Sequence, residues 1–340
     1  MNEPALFYSD KSLKAVFEKL HEYYGKDIDL QDLWDFQGMV TSLANNPEDY
    51  RSFYHNVDGK MVRHDKVHNL YGYNMTRSAS EAFDKIAPGR RILMFSRSSY
   101  IGMHRYGGIW TGDNASWWSH IELIMHQLPA LNMCGFLYCG ADTGGFGADT
   151  TEELLMRFIE MSMFTPLMRN HAALGTRLQE IYQFKDIDSF RNLLNLRYSL
   201  IPYLYSEYIK AVKNGTLLFT PIGMIYRKDR EARLVEDQLF VGESIMIAPV
   251  YKENARGRYV YLPEDMLMRF RSPIDYDEEM MSAGHHYVSV DVNEVLIWVR
   301  KNHALILGKG AESTADISHD NFNVIKCGDV SSYIYFDEYE

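Results

Sequence analysis

Apolar positions along the chain fall into two textures. Between residues 90 and 171, short and nearly continuous apolar runs of strand length end in polar or glycine-rich residues: "RILMFSR", "YGGIWTGD", "MCGFLYCGAD" and "MFTPLMRNH". Helical spacing separates them, clearest in "SWWSHIELIMHQLPA" and "TTEELLMRFIEMSMF", where apolar residues recur three and four apart. Thr150 and Glu153 have the spacing of a capping box at the start of the second helix. Apolar strands alternating with amphipathic helices predict a parallel sheet covered on both faces, an α/β architecture. After a polar loop, a long helix is predicted over residues 189–214, interrupted but not ended by Pro202. The texture then changes. "QLFVGESIMIAPVYK", "RGRYVYLPED", "HHYVSVDVNEVLIWVRKNHALILG", "FNVIKCG" and "SSYIYFDEY" are rich in β-branched and aromatic residues and broken by turn formers, which predicts a β-sandwich of one or two sheets. Residues 10–85 are mostly polar, with helical pieces and few strand signals, and the pattern assigns them no place. "GAD" occurs at Gly140 and again at Gly147, the second copy leading into the predicted capping box, and no longer repeat stands out.

Composition narrows the classes. A chain of 340 residues with 46% hydrophobic content can bury a large core and form more than one domain. A net charge of -11 argues against nucleic acid, whose binding draws on clustered Lys and Arg. No apolar run approaches the roughly 18 residues that span a bilayer, so no membrane partner is expected. Three cysteines, Cys134, Cys139 and Cys327, are odd in number and too few for a disulfide framework, and read as buried thiols. Cys134 and Cys139, five apart on one predicted strand, face opposite sides, which rules them out as a metal pair. His120 and His126, six apart on a helix, lie about 240° apart around its axis and do not converge either. With no nucleophile elbow, phosphate loop or dinucleotide fingerprint, no cofactor and no metal are expected. The methionine-rich "LLMRFIEMSMF" reads as core filler.

Reactive side chains in a parallel α/β barrel project from the C-terminal ends of strands. Arg97 closes "LMFSR", Asp113 closes "IWTGD", Asp142 closes "LYCGAD" and His171 closes "LMRNH". With Trp110 and Phe146 beside them they describe a polar pocket floored by aromatic rings, the kind in which sugars bind. Each has a bland alternative. An Asp after a strand is more often a cap or turn former, and Asp149 is read that way; Arg97 alone would be a surface ion pair, and His171 alone a structural histidine. Four such residues at successive strand ends bring a shared active site level with those alternatives.

The blocks "MNEPALF", "FSRSSYIGMHRYGGIWTGDNASWWSHI", "GADTGGF" and "MRNH" resemble, in order and spacing, those of glycoside hydrolase family 31, the retaining α-glucosidases, in their gut-bacterial form. "RYSLIPYLYSEY" and "DQLFVGESIMIAPV" are similar to the helix and β-sandwich that follow the barrel in that family. The resemblance implies the C-terminal half of a (β/α)8 barrel over residues 1–215, a proximal β-sandwich domain over 216–310 and the start of a distal β domain over 311–340. It implies that Asp113 is the acid/base, that Arg97, Asp142 and His171 bind the sugar, and that Trp110 and Phe146 form a hydrophobic wall. The family nucleophile is the Asp of a W-x-D-M-N-E-P block. Met1 would therefore directly follow the nucleophile and is counted with the substrate-binding residues, and the chain is expected to be the C-terminal part of a longer enzyme that requires the N-terminal half of its barrel. Glu3 is disfavoured as a substitute, being displaced by several ångströms along the backbone.

The implied mechanism is double displacement. Asp113 gives a proton to the departing oxygen and later activates water. A general acid has to keep its proton near neutral pH, which takes burial or a neighbouring negative charge. The expected substrates are small α-linked gluco-oligosaccharides, cleaved from the non-reducing end. The alternatives are a non-catalytic fragment or sugar-binding remnant, and an α-xylosidase, which is disfavoured because those members tend to carry glycine where Asn2 stands. The bacterial cytoplasm is the expected compartment; linkage preference and a homo-oligomer are left open. Taken alone, the chain is expected to be insoluble or loosely folded, and inactive, because half a barrel leaves strand edges and interior unpaired.

Overall fold

A computed structural model describes residues 8–44, 46–271 and 276–337. The opening block, with Met1, Asn2 and Glu3, lies outside them. The chain divides into two units between Gly107 and Gly108, and each is described by itself.

The stretch to which the pattern assigns no place makes up most of the N-terminal unit, and it is chiefly helical. Helices α1 (Asp10–His21), α2 (Leu30–Thr41) and α3 (Pro47–Ser52) precede a hairpin of β1 (Tyr54–Val57) and β2 (Lys60–Arg63), then α4 (His64–Ile86) and a short strand β3 (Phe95–Ser96). Short polar side chains start the first three helices. Ser9 accepts from the Ser12 N–H, Asp29 and Asp32 form a reciprocal capping box, and Asn46 accepts from the Glu48 N–H, which satisfies amide groups that a helix start leaves open. Helix α2 buries none of its residues.

In the C-terminal unit, β4 (Gly108–Trp110), α5 (Trp118–Met133), β5 (Cys139–Gly140), β6 (Asp142–Thr143), α6 (Glu152–Ser162) and β7 (Arg169–Asn170) follow in order. As the alternation predicts, the strand pairs are parallel: Ile109 and Trp110 pair with Cys139 and Gly140, and Asp142 and Thr143 with Arg169 and Asn170. Gly140 is where the backbones come closest, since a Cβ there would meet the Leu167 carbonyl at 1.9 Å. Three expectations are corrected. The cap of α6 is Thr151, whose side chain accepts from the Leu154 N–H, one residue after the predicted Thr150. Cys134 caps the C-terminus of α5 instead of starting a strand, because the helix runs on through Pro129. Its thiol is exposed, while Cys139 and Cys327 are buried, and burial pushes Cys139 up to about 12.

Helix α7 (Ile187–Asn214) carries Pro202 within it and ends at Gly215 in the left-handed region, φ +61°. Along its length it is tied to the β-rich region that comes after it. The Gly308 N–H donates to the Ser199 carbonyl at 2.8 Å, beside Pro202, whose missing N–H interrupts the helical ladder. Tyr203 Oη donates to the Val241 carbonyl at 2.7 Å, and Glu207 accepts from the Glu243 N–H at 2.7 Å.

Strands β8 (Phe219–Pro221), β9 (Leu239–Val241), β10 (Ile245–Ile247), β11 (Gly257–Leu262), β12 (Met266–Arg271), β13 (Tyr276–Met281), β14 (Gly284–Ser289), β15 (Ile297–Arg300), β16 (His303–Leu307) and β17 (Asn323–Cys327) build the C-terminal region, with a single-turn helix α8 (Ile222–Ile225) after β8. One sheet has the order β13-β12-β15-β10-β9-β8; β11 pairs with β14, and β16 with β17. The adjacent pairs are antiparallel. Inward side chains of the large sheet, such as Phe240, Met246 and Trp298, share one buried cluster with Val260, Leu262 and Val288 from β11 and β14, the layered packing the alternation predicts. "SSYIYFDEY" forms no strand in its described part, 331–337. It bonds to side chains of α7, where Tyr333 Oη donates to Glu207 at 2.7 Å and Ser206 Oγ accepts from the Phe336 N–H at 3.0 Å, and Tyr335 packs against His319 and Phe322. Among the described residues no helix is long and apolar enough to cross a membrane.

Candidate active site

The site of the C-terminal unit is assembled by two loops that leave β4 and β5 at their C-terminal ends. The chain turns after Trp110 at Gly112, φ +87°, and presents Asp113 to solvent. Asn114 then fastens this loop to the next. Its side-chain amide donates to the Asp142 carbonyl at 2.9 Å and its side-chain oxygen accepts from the Asp142 N–H at 3.1 Å. Its own carbonyl accepts from the Phe146 N–H at 2.6 Å. Gly145, φ +93°, allows this closure, since a Cβ there would lie 2.3 Å from the Ser116 nitrogen.

Asp142 is only 1% exposed. The parallel register sets it beside Arg169, whose Nη2 donates to Asp142 Oδ1 at 2.5 Å. Asp142 Oδ2 is buried with no hydrogen-bond partner among the described residues. Burial pushes the Asp142 carboxyl above its ordinary value; the bond and charge of Arg169 oppose this, His171 opposes it more weakly, and the charge of Asp113 adds to it. Desolvation therefore outweighs the ion pair. Arg169 also lies over the buried Trp110 ring, 5.6 Å from its centroid. Phe146 and His171 stack at 5.3 Å with 30° between planes. Below them, the buried Gln179 amide donates to the Gly145 carbonyl at 3.1 Å and to Asn170 Oδ1 at 2.8 Å.

Of the residues the sequence nominates, Asp113, Asp142, His171, Trp110 and Phe146 thus share one region. Arg97 directly follows β3 in the N-terminal unit, half-buried, and Met1 lies outside the described residues. Asp149, read as a turn former, accepts from the Arg177 N–H at 2.6 Å and so ties down the loop before α6. The sequence pattern does not single out Asn114, Arg169 or Gln179. Arg169 stands two residues before His171 on the same short run, but its pairing with Asp142 is set by the register between β6 and β7. Chemically, the arrangement offers an exposed carboxyl group beside a buried, oriented carboxylate, with two aromatic surfaces. Among the described residues no group of three or more His, Cys, Asp or Glu is placed to hold a metal ion.

Parallel strand pairs with two carboxylates at their C-terminal ends, followed by layered antiparallel sheets, make an α/β region with an appended β region. The sequence model of the "Glycosyl hydrolases family 31 TIM-barrel domain" matches residues 1–207, and that of the "Glycosyl hydrolase family 31 C-terminal domain" matches residues 215–305. The chain belongs to glycosyl hydrolase family 31. It is 28% identical over 337 residues to alpha-glucosidase 2 of Bacillus thermoamyloliquefaciens, covering 97% of this chain and 42% of that protein. It is 34% identical over 205 residues to neutral alpha-glucosidase AB of Mus musculus, covering 59% of this chain and 22% of that protein. Its fold matches that of a dextranase of Flavobacterium johnsoniae, mutant D412A complexed with isomaltotriose, with a TM-score of 0.72 and 24% identity, over 85% of this chain and 36% of that one. The chain therefore spans less than half the length of these relatives.

Proposed function

We propose that the chain carries the acid/base and sugar-holding residues of a retaining α-glucosidase acting at the non-reducing ends of small α-linked gluco-oligosaccharides. Asp142 is the observation that carries this reading. Its carboxylate is buried and fixed on one oxygen by Arg169, its backbone is held by Asn114, and the buried Oδ2 is available to accept from a sugar hydroxyl beside the exposed Asp113. Such a charged hydrogen bond is worth roughly 1.5–3 kcal/mol. Phe146 and Trp110 supply the apolar surfaces a pyranose ring packs against. His171 and, through the family resemblance, Arg97 serve as further sugar-binding residues.

In this scheme Asp113 protonates the departing glycosidic oxygen as a second carboxylate attacks the anomeric carbon, and then, as base, takes a proton from water. The block expected to bring that nucleophile lies outside the described residues, so the assigned roles rest on residues 97–171. The relatives' names support the substrate class. The test is the leaving group. In the enzyme completed by the N-terminal half of its barrel, Asp113→Ala is expected to lower turnover of maltose and isomaltose by roughly 100-fold or more, the scale of general acid catalysis, and to spare activated aryl α-glucosides in the glycosylation step. Equal losses on both substrate types would remove Asp113 from the acid role.

A further inference from the structure

We infer that the outer face of β11 and β14, with the loop after β10, is a second carbohydrate-binding site, taking a neutral gluco-oligosaccharide well apart in sequence from the residues assigned to catalysis. Tyr259 and Tyr287 face each other across the β11–β14 pair. Val260, Leu262 and Val288 point into the core, so strand alternation sends both tyrosines outward, where they are 76% and 59% exposed. Their rings meet edge to face at 5.2 Å. Beneath Tyr287 the strand carries Gly257, where a Cβ would meet Tyr287 Oη at 2.7 Å. The bare backbone lets that ring lie along the sheet.

Behind the rings is a groove of about 290 Å³ whose lining includes Asp237, Tyr251, Lys252, Arg258 and both tyrosines. That volume is near the low end for small-molecule sites. Its polar groups compensate one another: Arg258 Nη2 lies 2.6 Å from Asp237 Oδ2, and Tyr251 Oη donates to the same oxygen at 2.9 Å. Burial and Asp237 together push Tyr251 up to about 12, so its hydroxyl keeps its proton across the working pH range. Arg258 and Asp237 are thus taken up by each other, and Lys252, whose Nζ lies 5.9 Å from the Tyr251 ring centroid, is the remaining charged residue of the lining. A hydroxylated neutral ligand finds donors and acceptors below and aromatic faces above, the combination that matches a sugar's hydroxyl edge and C–H face. That the sugar is an α-linked glucan rests on the function proposed above.

A cross-strand tyrosine pair also stabilises a sheet, by roughly 0.2–1 kcal/mol, so the test has to separate binding from folding. The chain, co-expressed with the N-terminal half of its barrel, is run in native gels containing dextran, soluble starch or a β-linked glucan, and titrated calorimetrically with isomaltotriose. Tyr259→Ala and Tyr287→Ala are each expected to weaken retention by dextran or starch roughly tenfold, the equivalent of about 1.4 kcal/mol, with the melting temperature lowered equally with and without glucan and aryl α-glucoside hydrolysis unchanged. Tyr259→Phe, which keeps the ring, is expected to bind as the unaltered chain does. Unaltered retention in both Ala variants, equal retention by the β-linked glucan, or no retention of the parent chain would overturn the inference. Groove-dependent retention without hydrolysis would instead count against the proposed activity and leave this site standing.

Discussion

Arg157 and Glu160 sit one turn apart on α6, with side chains 0% and 4% exposed and 2.8 Å between Nη1 and Oε2. Burial outweighs the attraction of Arg157, and the charges of Glu294 and Glu153 add to it, so Glu160 is pushed up to about 8. A carboxyl group that binds its proton more tightly when folded stabilises the fold fully below its unfolded value, near 4.5, and loses that contribution as pH rises through about 8. Denaturant titrations are expected to show stability falling between pH 5 and pH 8 by a few kcal/mol at most, since one proton changes stability by no more than about 1.4 kcal/mol for each step of one in pH. Glu160→Gln, which keeps an acceptor for Arg157, is expected to flatten that slope; an unchanged slope would assign it to other groups. "LLMRFIEMSMF" reads as core filler, and every residue from Leu154 to Ser162 is buried, but the spacing does not show that Arg157 and Glu160 are buried as a pair. Asp113, Asp142 and His171 were legible because each closes an apolar run. Arg169 was not, because its partner is chosen by the register between two strands, and no spacing within one run reveals a register.

At the scale of elements, the joints depend on side chains that satisfy backbone groups. The buried Asn132, near the end of α5, accepts on Oδ1 from the N–H groups of Leu218 and Phe219, at 3.0 and 2.8 Å, and donates to the Phe136 carbonyl at 3.0 Å. One side chain thus holds the entry to β5 and the entry to β8. Asn132→Ala strands two buried donors and is expected to cost roughly 1–3 kcal/mol for each unsatisfied group, read as a lowered denaturation midpoint; a loss below about 0.5 kcal/mol would mean that water replaces the amide. Helices α5, α6 and α7 were legible from their period, and α7 ran through Pro202 as its apolar spacing required. The barrel strands were legible as runs but not in length: pairing covers two or three residues each, because glycines and turns at Gly112, Gly140 and Gly145 divert the chain into the loops that carry the chemistry. "SSYIYFDEY" shows the same limit from the other side, since β propensity reports a fit to a pleated surface and this segment lies against a helix.

For the whole molecule, the row Leu30, Leu33, Trp34 and Val40 on α2, exposed at 71%, 55%, 61% and 56%, is an apolar helix surface that the N-terminal unit offers to water. Contiguous exposed apolar surface drives association. The chain is expected to self-associate at micromolar concentration in light scattering, and Leu33→Asp with Trp34→Gln is expected to reduce this without moving the melting temperature; undiminished association would place the contact elsewhere. Helix α7 bears on a different question, where such a chain can be cut and rejoined. Ser199, Tyr203, Ser206 and Glu207 each hold a bond to the region after Gly215, although the helix precedes that region in sequence. A chimera joined at Gly215 would set a foreign β region against a helix shaped for another. A joint placed before Asp186, the N-cap of α7, would carry the helix and its partners together, and the helix would travel as part of the β-rich module downstream of it.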